Sequence, residues 1–164
     1  MTQDTQTKVA IVTGASGGIG AETARRLARD GFAVVVNYAG NAASAQAVVG
    51  QIEAAGGKAL AHQADVADPA AVRGMFDAAQ AAFGGVDVLV NNAGVMSLSP
   101  IADTDDAAFD RMIAINLKGV FNTLREAANR LRDGGRIINL STASWACCCR
   151  PTPSTPPPRP GWRP

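Results

Sequence analysis

The feature that most constrains this chain is the run Thr13-Gly14-Ala15-Ser16-Gly17-Gly18-Ile19-Gly20. It follows a short apolar, β-branched stretch, Lys8 to Thr13, that reads as a buried strand. A helical stretch follows, from about Ile19 to Asp30, and Gly31 stops it. Glycines at 14, 18 and 20 allow a tight turn, close approach of backbone to a ligand, and close helix–strand packing. The helix start offers unpaired N–H groups and a positive dipole end, which suits a pyrophosphate. A glycine-rich turn alone is a weak signal, and its plain reading is a structural turn. Placed between a strand and a helix at the start of a βαβ unit, it is a much stronger one.

The remaining chain repeats the alternation. Phe32 to Asn37 (FAVVVN) reads as a second buried strand, and Asn41 to Ala55 as an Ala-rich helix stopped by Gly56-Gly57. Lys58 to Gln63 is a third strand. Asp68-Pro69 has the form of an N-cap with proline at the first helical position, opening a helix to about Phe83. Gly84-Gly85 breaks it before a fourth strand, Val86 to Val90. Helical segments are expected from about Asp105 to Arg132, ended by Gly134-Gly135, and then a fifth strand from Arg136 to Leu140. Strands apolar on both faces, separated by helices, predict an α/β fold. Right-handed crossovers make it a Rossmann-type doubly wound parallel sheet with helices on both faces.

Composition removes several function classes. Hydrophobic residues at 47% and charged residues at 18% suit a globular domain rather than a disordered chain. A net charge of +1 gives no basic excess for nucleic acid and no acidic cation-binding tail. Met1 to Thr7 is polar, unlike a signal peptide, and no apolar stretch is long enough to span a bilayer. The expectation is a cytoplasmic protein with no membrane partner. The three cysteines, Cys147, Cys148 and Cys149, are adjacent, without the spacing of a zinc site or disulfide framework. No metal is expected. The single histidine, His62, reads as a packed or surface residue of the third strand rather than a catalyst.

Four motifs in order make the chain resemble the short-chain dehydrogenase/reductase family, over about Lys8 to Ser144. The first is the glycine loop, Gly-x-x-x-Gly-x-Gly after a threonine. Asp65-Val66 follows the third strand, where the family places an aspartate near the adenine. Asn91-Asn92-Ala93-Gly94 follows the fourth strand and matches the family's NNAG motif. Asn116, in IAINLKG, matches the helical asparagine of the family's catalytic tetrad, and the fifth strand ends in Ser141-Thr142 as the catalytic serine strand does. The resemblance implies a nicotinamide dinucleotide held by Gly14, Ser16, Gly17, Gly18, Ile19, Gly20, Asn37, Tyr38, Asp65, Val66, Asn92, Ala93 and Gly94. It also implies a small carbonyl or alcohol substrate. Asn116 would support a proton relay through a water at its carbonyl end. Ser141 would hydrogen-bond the substrate oxygen, with Thr142 and Ser144 as rivals for that role. The plainer readings are a stabilising turn at NNAG, a helix-surface polar residue at 116 and strand-end capping by the hydroxyls. The family's assembly is a homodimer or tetramer, and here it is expected to be impaired.

Cofactor choice is read after the second strand. An acidic residue there pairs with the ribose 2′-OH of NAD, and its absence leaves room for the 2′-phosphate of NADP. The chain has Asn37-Tyr38-Ala39-Gly40-Asn41, with no carboxylate, so the expectation is NADP, with NAD as the alternative. No clear arginine for the phosphate stands out, since Gly17 occupies a position that is basic in many NADP-using relatives.

The family also needs a Tyr-x-x-x-Lys pair on the helix after the fifth strand. The tyrosine moves the proton, and the lysine lowers its pKa and holds the nicotinamide ribose. The only tyrosine here is Tyr38, and the only lysines are Lys8, Lys58 and Lys118. After Ser144 the composition changes, and residues 145–164 hold seven of the nine prolines. Back-translated and read one base out of frame, this tail forces glycine at the Trp145-Ala146 boundary and leucine at two successive cysteine slots. It permits VGLLLPAYAVYAATKAGVEA, which puts tyrosine at the Thr155 slot and lysine at the Arg159 slot. The expected organisation is therefore a partial nucleotide-binding domain, 1–144, and a frameshifted, disordered proline-rich tail, 145–164. The resemblance therefore implies an NADP-dependent alcohol–ketone oxidoreductase by descent that, as written, is expected to lack its acid–base step. The alternative is a catalytically dead nucleotide-binding or interaction module with the tail as a partner ligand.

Overall fold

The computed structural model of the protein describes residues 7–141. Thr142, Ser144, the cysteines and the proline-rich segment lie outside the described residues. Five strands form one sheet: β1 (Val9–Val12), β2 (Ala33–Tyr38), β3 (Lys58–Gln63), β4 (Val86–Asn91) and β5 (Leu131–Asn139). Their spatial order is β3-β2-β1-β4-β5, and every pairing is parallel. The chain winds outward from β1 to β3 and then returns past β1 to β4 and β5. The reversal opens a crevice at the C-terminal ends of β1 and β4, where doubly wound sheets bind ligands.

Alternation along the strands fills two cores. Val12, Val34, Val36 and Val90 pack on one face beneath α1 (Gly18–Arg29) and α2 (Ala42–Ala54). α1 meets the sheet through Ala21, Ala24 and Ala28, so small side chains bring its axis close to β1 and β2. Ile11, Val35, Val86 and Leu89 pack on the other face against α3 (Pro69–Phe83), through Val72, Met75, Phe76 and Ala79. Helix starts follow side-chain capping, which the sequence reading expects at Asp68 and the structure shows at two further starts. Asn41 accepts from Ser44 N, Asp68 accepts from Ala70 N with Pro69 behind it, and Asp105 accepts from Ala108 N. α3 ends at Gly84 in the left-handed conformation, φ +81°.

Two boundaries differ from the sequence reading. The segment expected to be helical from Asp105 to Arg132 is α4 (Asp106–Ile113), a wide π-type turn over Ala114–Lys118, and α5 (Gly119–Arg130). The glycines at 134 and 135 do not end α5. The helix passes directly into β5 at Leu131, and the glycines lie inside an irregular part of that strand. The cause is a tie to β4 that local sequence does not show. Arg132 Nη1 donates to Asp87 Oδ2 at 2.9 Å, while the same carboxylate oxygen accepts from Val9 N at 2.7 Å. That contact draws residues 131–132 alongside the start of β4, and the extra residues before Arg136 bulge outward.

Among the described residues no helix is long and apolar enough to cross a membrane.

Candidate functional site

The glycine loop lies across the end of β1. Gly14 adopts φ +63°, and a Cβ there would sit 2.9 Å from the Cα of Ala93. Gly20 has a different reason to be glycine. A Cβ on it would lie 2.6 Å from the carbonyl oxygen of Gly14 and would also strike the Asn92 carboxamide. The first turn of α1 therefore starts directly under the loop. Gly17 and Gly18 face open space, and no side chain caps α1. The unpaired N–H groups of the first turn are thus left to a ligand, which fits a pyrophosphate.

Three neutral side chains lock this loop to the neighbouring strand ends. Thr13 Oγ1 accepts from the backbone N–H of Asn92 and of Ala93, both at 3.0 Å, and donates to Val90 O at 3.3 Å. Asn92 Nδ2 returns the connection to the carbonyls of Thr13 (2.9 Å) and Gly14 (3.1 Å). On the other side, Asn37 Oδ1 accepts from Gly14 N at 3.1 Å and its Nδ2 donates to Ala64 O at 3.0 Å. Asn37 is 1% exposed. Its side chain is spent on shaping the loop rather than offered to a ligand. The backbone adds one more bond, Ala15 N to Asn37 O at 2.7 Å.

Two clefts meet at Ala93, Gly94 and Val95. One, of about 240 Å³, is lined by Gly14, Ser16, Asn37, Ala39 and Gly40, by Asp65 and Val66 after β3, and by Arg111 and Ile115. Its dimensions and glycine-lined edge suit an adenosine. Asp65 is exposed there and accepts from Ala67 N at 2.9 Å, which fixes the turn after β3. Buried Asn122 supports the same turn from α5, donating to Val66 O at 2.9 Å. The second cleft, of about 410 Å³, brings Ile19, Asn92 and Asn116 together with Leu140 and Ser141 at the end of β5.

Asn116 sits in the wide turn between α4 and α5. Its Oδ1 accepts from Val95 N at 2.8 Å and its Nδ2 donates to Val95 O at 2.7 Å. Both ends of this carboxamide hold the segment directly after the NNAG turn, leaving one acceptor site on Oδ1 and one N–H on Nδ2. Gly94 lies close beside it, where a Cβ would come to 3.3 Å from Asn116 Oδ1, a tight contact. Ser141 is carried by a separate polar chain. Asn91 Nδ2 donates to Asn139 Oδ1 (2.8 Å) and Thr123 Oγ1 donates to Asn91 Oδ1 (2.8 Å), linking β4, β5 and α5.

The sequence-derived residues are therefore divided among distinct places. Gly14, Ser16, Asn37, Asp65, Val66, Ala93 and Gly94 line the first cleft, and Ile19, Asn92, Asn116 and Ser141 the second. Gly17 and Gly18 form the open face between loop and helix. Tyr38 lines neither cleft and packs half-buried against the core beneath α2. Thr142 lies outside the described residues. Sequence reasoning missed Thr13 as the hub of the clamp, Asn122 as the support of the Asp65 turn, and Arg111. The invariant partner of a hub is not visible in one chain, though the position of Thr13 directly before Gly14 was a usable signal. His62 plays no part in either cleft. Burial of its ring beside α3 holds its pKa below the ordinary value of 6.5.

Comparison with known proteins agrees with this geometry. The family model described as short chain dehydrogenase matches residues 8–147. An uncharacterized oxidoreductase of Methylorubrum extorquens is 50% identical over 135 residues, covering 82% of this chain and 54% of that protein. The crystal structure of a short chain dehydrogenase from Burkholderia cenocepacia in complex with NADP is 47% identical, with a TM-score of 0.77 over 80% of this chain and 54% of that one. A blue fluorescent protein from a metagenomic library, in complex with NADPH, is 42% identical, with a TM-score of 0.79 over 87% of this chain and 59% of that one. The chain spans about half the length of the curated relatives it matches. The matched model covers the glycine loop, the clamp and both clefts, so the chain belongs to the short-chain dehydrogenase family.

Proposed function

We propose that this protein descends from an NADP-dependent oxidoreductase interconverting an alcohol and a carbonyl compound, and that the present chain keeps the nucleotide site without the acid–base pair. The observation that carries the reading is the clamped glycine loop. Thr13, Asn37 and Asn92 fix a loop in which a Cβ at Gly14 or Gly20 would collide with neighbouring atoms, while the open face at Gly17-Gly18 stays free. Such a cradle fits a dinucleotide pyrophosphate. NADP is favoured by the absence of a carboxylate after β2, and relatives named as NADP and NADPH complexes support that choice.

Bound there, NADP would supply the hydride. The chain's own groups bind and orient. α1 faces the phosphates, Asp65 lies at the adenine end, and Asn116 holds the NNAG loop open beside the second cleft. Ser141 Oγ, at the mouth of that cleft, would donate to the substrate oxygen. No tyrosine lines the second cleft among the described residues, and neither Thr155 nor Arg159 is a proton relay suited to neutral pH. We read residues from Trp145 onward as translated one base out of frame. The forced glycine and leucines and the in-register Tyr-x-x-x-Lys spacing support this.

The test expresses this chain beside a version with one base restored near the Trp145 codon and the downstream sequence included. Both are assayed for NADPH oxidation against a panel of aldehydes and ketones. Turnover is expected only in the restored protein, since a positioned general acid contributes about 10²–10⁴-fold. Equal turnover by the present chain refutes the missing-pair argument, and an early stop in the restored frame refutes the frameshift.

A further inference from the structure

The adenosine cleft contains one cation, and it comes from an unexpected element. Arg111 is on α4, more than seventy residues after the β2 end, yet it walls the same cleft as Ala39 and Gly40. Its guanidinium is exposed and makes no ion pair or side-chain hydrogen bond among the described residues. The other arginines nearest the glycine loop are differently placed. Arg25 borders the open face at Gly17 and Gly18 but is held by Glu22 and Gln51, and Arg26 is paired with Asp30. Among the described residues the only other charged group lining the cleft is the Asp65 carboxylate.

Resting on the reading of this cleft as a nucleotide site, we propose that Arg111 is the specificity-determining residue for the 2′-phosphate of NADP. The Ala39-Gly40 rim, free of carboxylates and of bulk, leaves room for a dianionic phosphate on the ribose. A phosphate there needs a counter-charge, and neither the rim nor the glycine loop carries one. Arg111 supplies it from α4, within the same cleft. A planar guanidinium on a long stem reaches across an open cleft and binds phosphate oxygens by charge-assisted hydrogen bonds. The Asp65 carboxylate lines the same cleft and disfavours a second anion beside it.

The test uses the whole chain and probes that need only the adenosine half, adenosine 2′,5′-bisphosphate and 5′-AMP, titrated by calorimetry or ligand-observed NMR. The unaltered chain should bind the bisphosphate more tightly. Arg111→Ala should weaken the bisphosphate about tenfold, equivalent to about 1.4 kcal/mol, and leave 5′-AMP within about twofold. Arg111→Lys should restore most of the loss, because the charge returns without the planar fork. Equal weakening of both ligands by Arg111→Ala overturns the proposal, since the residue would then serve the adenine or the fold. Unchanged affinity for both also overturns it. Failure of both ligands to bind the unaltered chain removes the nucleotide reading itself, whereas 5′-AMP binding without any bisphosphate preference removes only the assignment of Arg111.

Discussion

Replacing Asn37 by leucine tests whether a buried carboxamide, and not the glycines alone, shapes the nucleotide loop. The two side chains have the same number of heavy atoms and the same branch point, so the change removes polar partners, and the bulkier methyls can only add to the loss. In the native protein Asn37 satisfies Gly14 N through Oδ1 and Ala64 O through Nδ2. Leucine leaves both backbone groups without those partners at a position only 1% exposed. A buried polar group left unsatisfied costs about 1–3 kcal/mol, so the pair should cost about 2–5 kcal/mol after some relaxation. Against a typical total stability of about 5–15 kcal/mol, that is a large fraction. Urea denaturation followed by circular dichroism should show a lower midpoint with an unchanged slope. Affinity for 5′-AMP should fall in the same variant, because Gly14 N loses its anchor while the Ala15 N to Asn37 O bond persists. A midpoint shift equivalent to less than about 0.5 kcal/mol, the size of an ordinary surface substitution, would refute the argument.

Further outcomes follow from other contacts. Gly14→Val should abolish 5′-AMP binding and lower the melting temperature, because a left-handed backbone alone costs a side-chain-bearing residue about 1–2 kcal/mol and the Cβ also meets Ala93; a variant melting like the parent would contradict this. The lowered pKa of His62 means that the unfolded chain binds the proton more readily. Stability should therefore be unaffected by this residue above pH 6.5 and fall as pH drops below it, and His62→Gln should flatten that fall in pH-dependent urea midpoints. Phe109, Ile113, Leu117 and Phe121 recur every fourth residue and are all exposed, with the Arg125 guanidinium 5.3 Å from the Phe121 ring centre. We expect a second copy of the chain to cover this stripe, and Phe121→Glu to lower the mass seen by sedimentation; a parent chain that is already monomeric would refute it.

Much of the fold was legible because its signals are local. β-branched runs such as FAVVVN, the Asp68-Pro69 start and the glycine at 84 each act within a few residues of where they stand, and the structure places those elements as expected. The end of α5 was not legible, because Gly134-Gly135 carries a helix-stop signal while the decisive contact is Arg132 to Asp87, 45 residues away. The wide turn at Ala114–Lys118 has no compositional mark either. In the site, the residues of the loop and the NNAG turn could be picked out by order and spacing. Their division of labour could not. Asn37 and Asn92 look alike in sequence as strand-end amides, but one is buried beneath the loop and the other lines the second cleft. Arg111 stayed hidden because nothing near it in sequence points to the cleft it reaches only through α4.

The clamp that joins the ends of β1, β2 and β4 consists of a hydroxyl, two carboxamides and backbone groups, with no ionised member. Dissolved salt shortens the reach of charges, to about 8 Å at physiological ionic strength, but leaves hydrogen bonds between neutral groups largely alone. The shape of the loop should thus be the same in dilute buffer and in concentrated brine. Capture of a polyanion by Arg111 and the start of α1 should not. In this protein, assembly of the binding surface and attraction of its ligand respond to separate properties of the solvent, and a salt titration reads the second without disturbing the first.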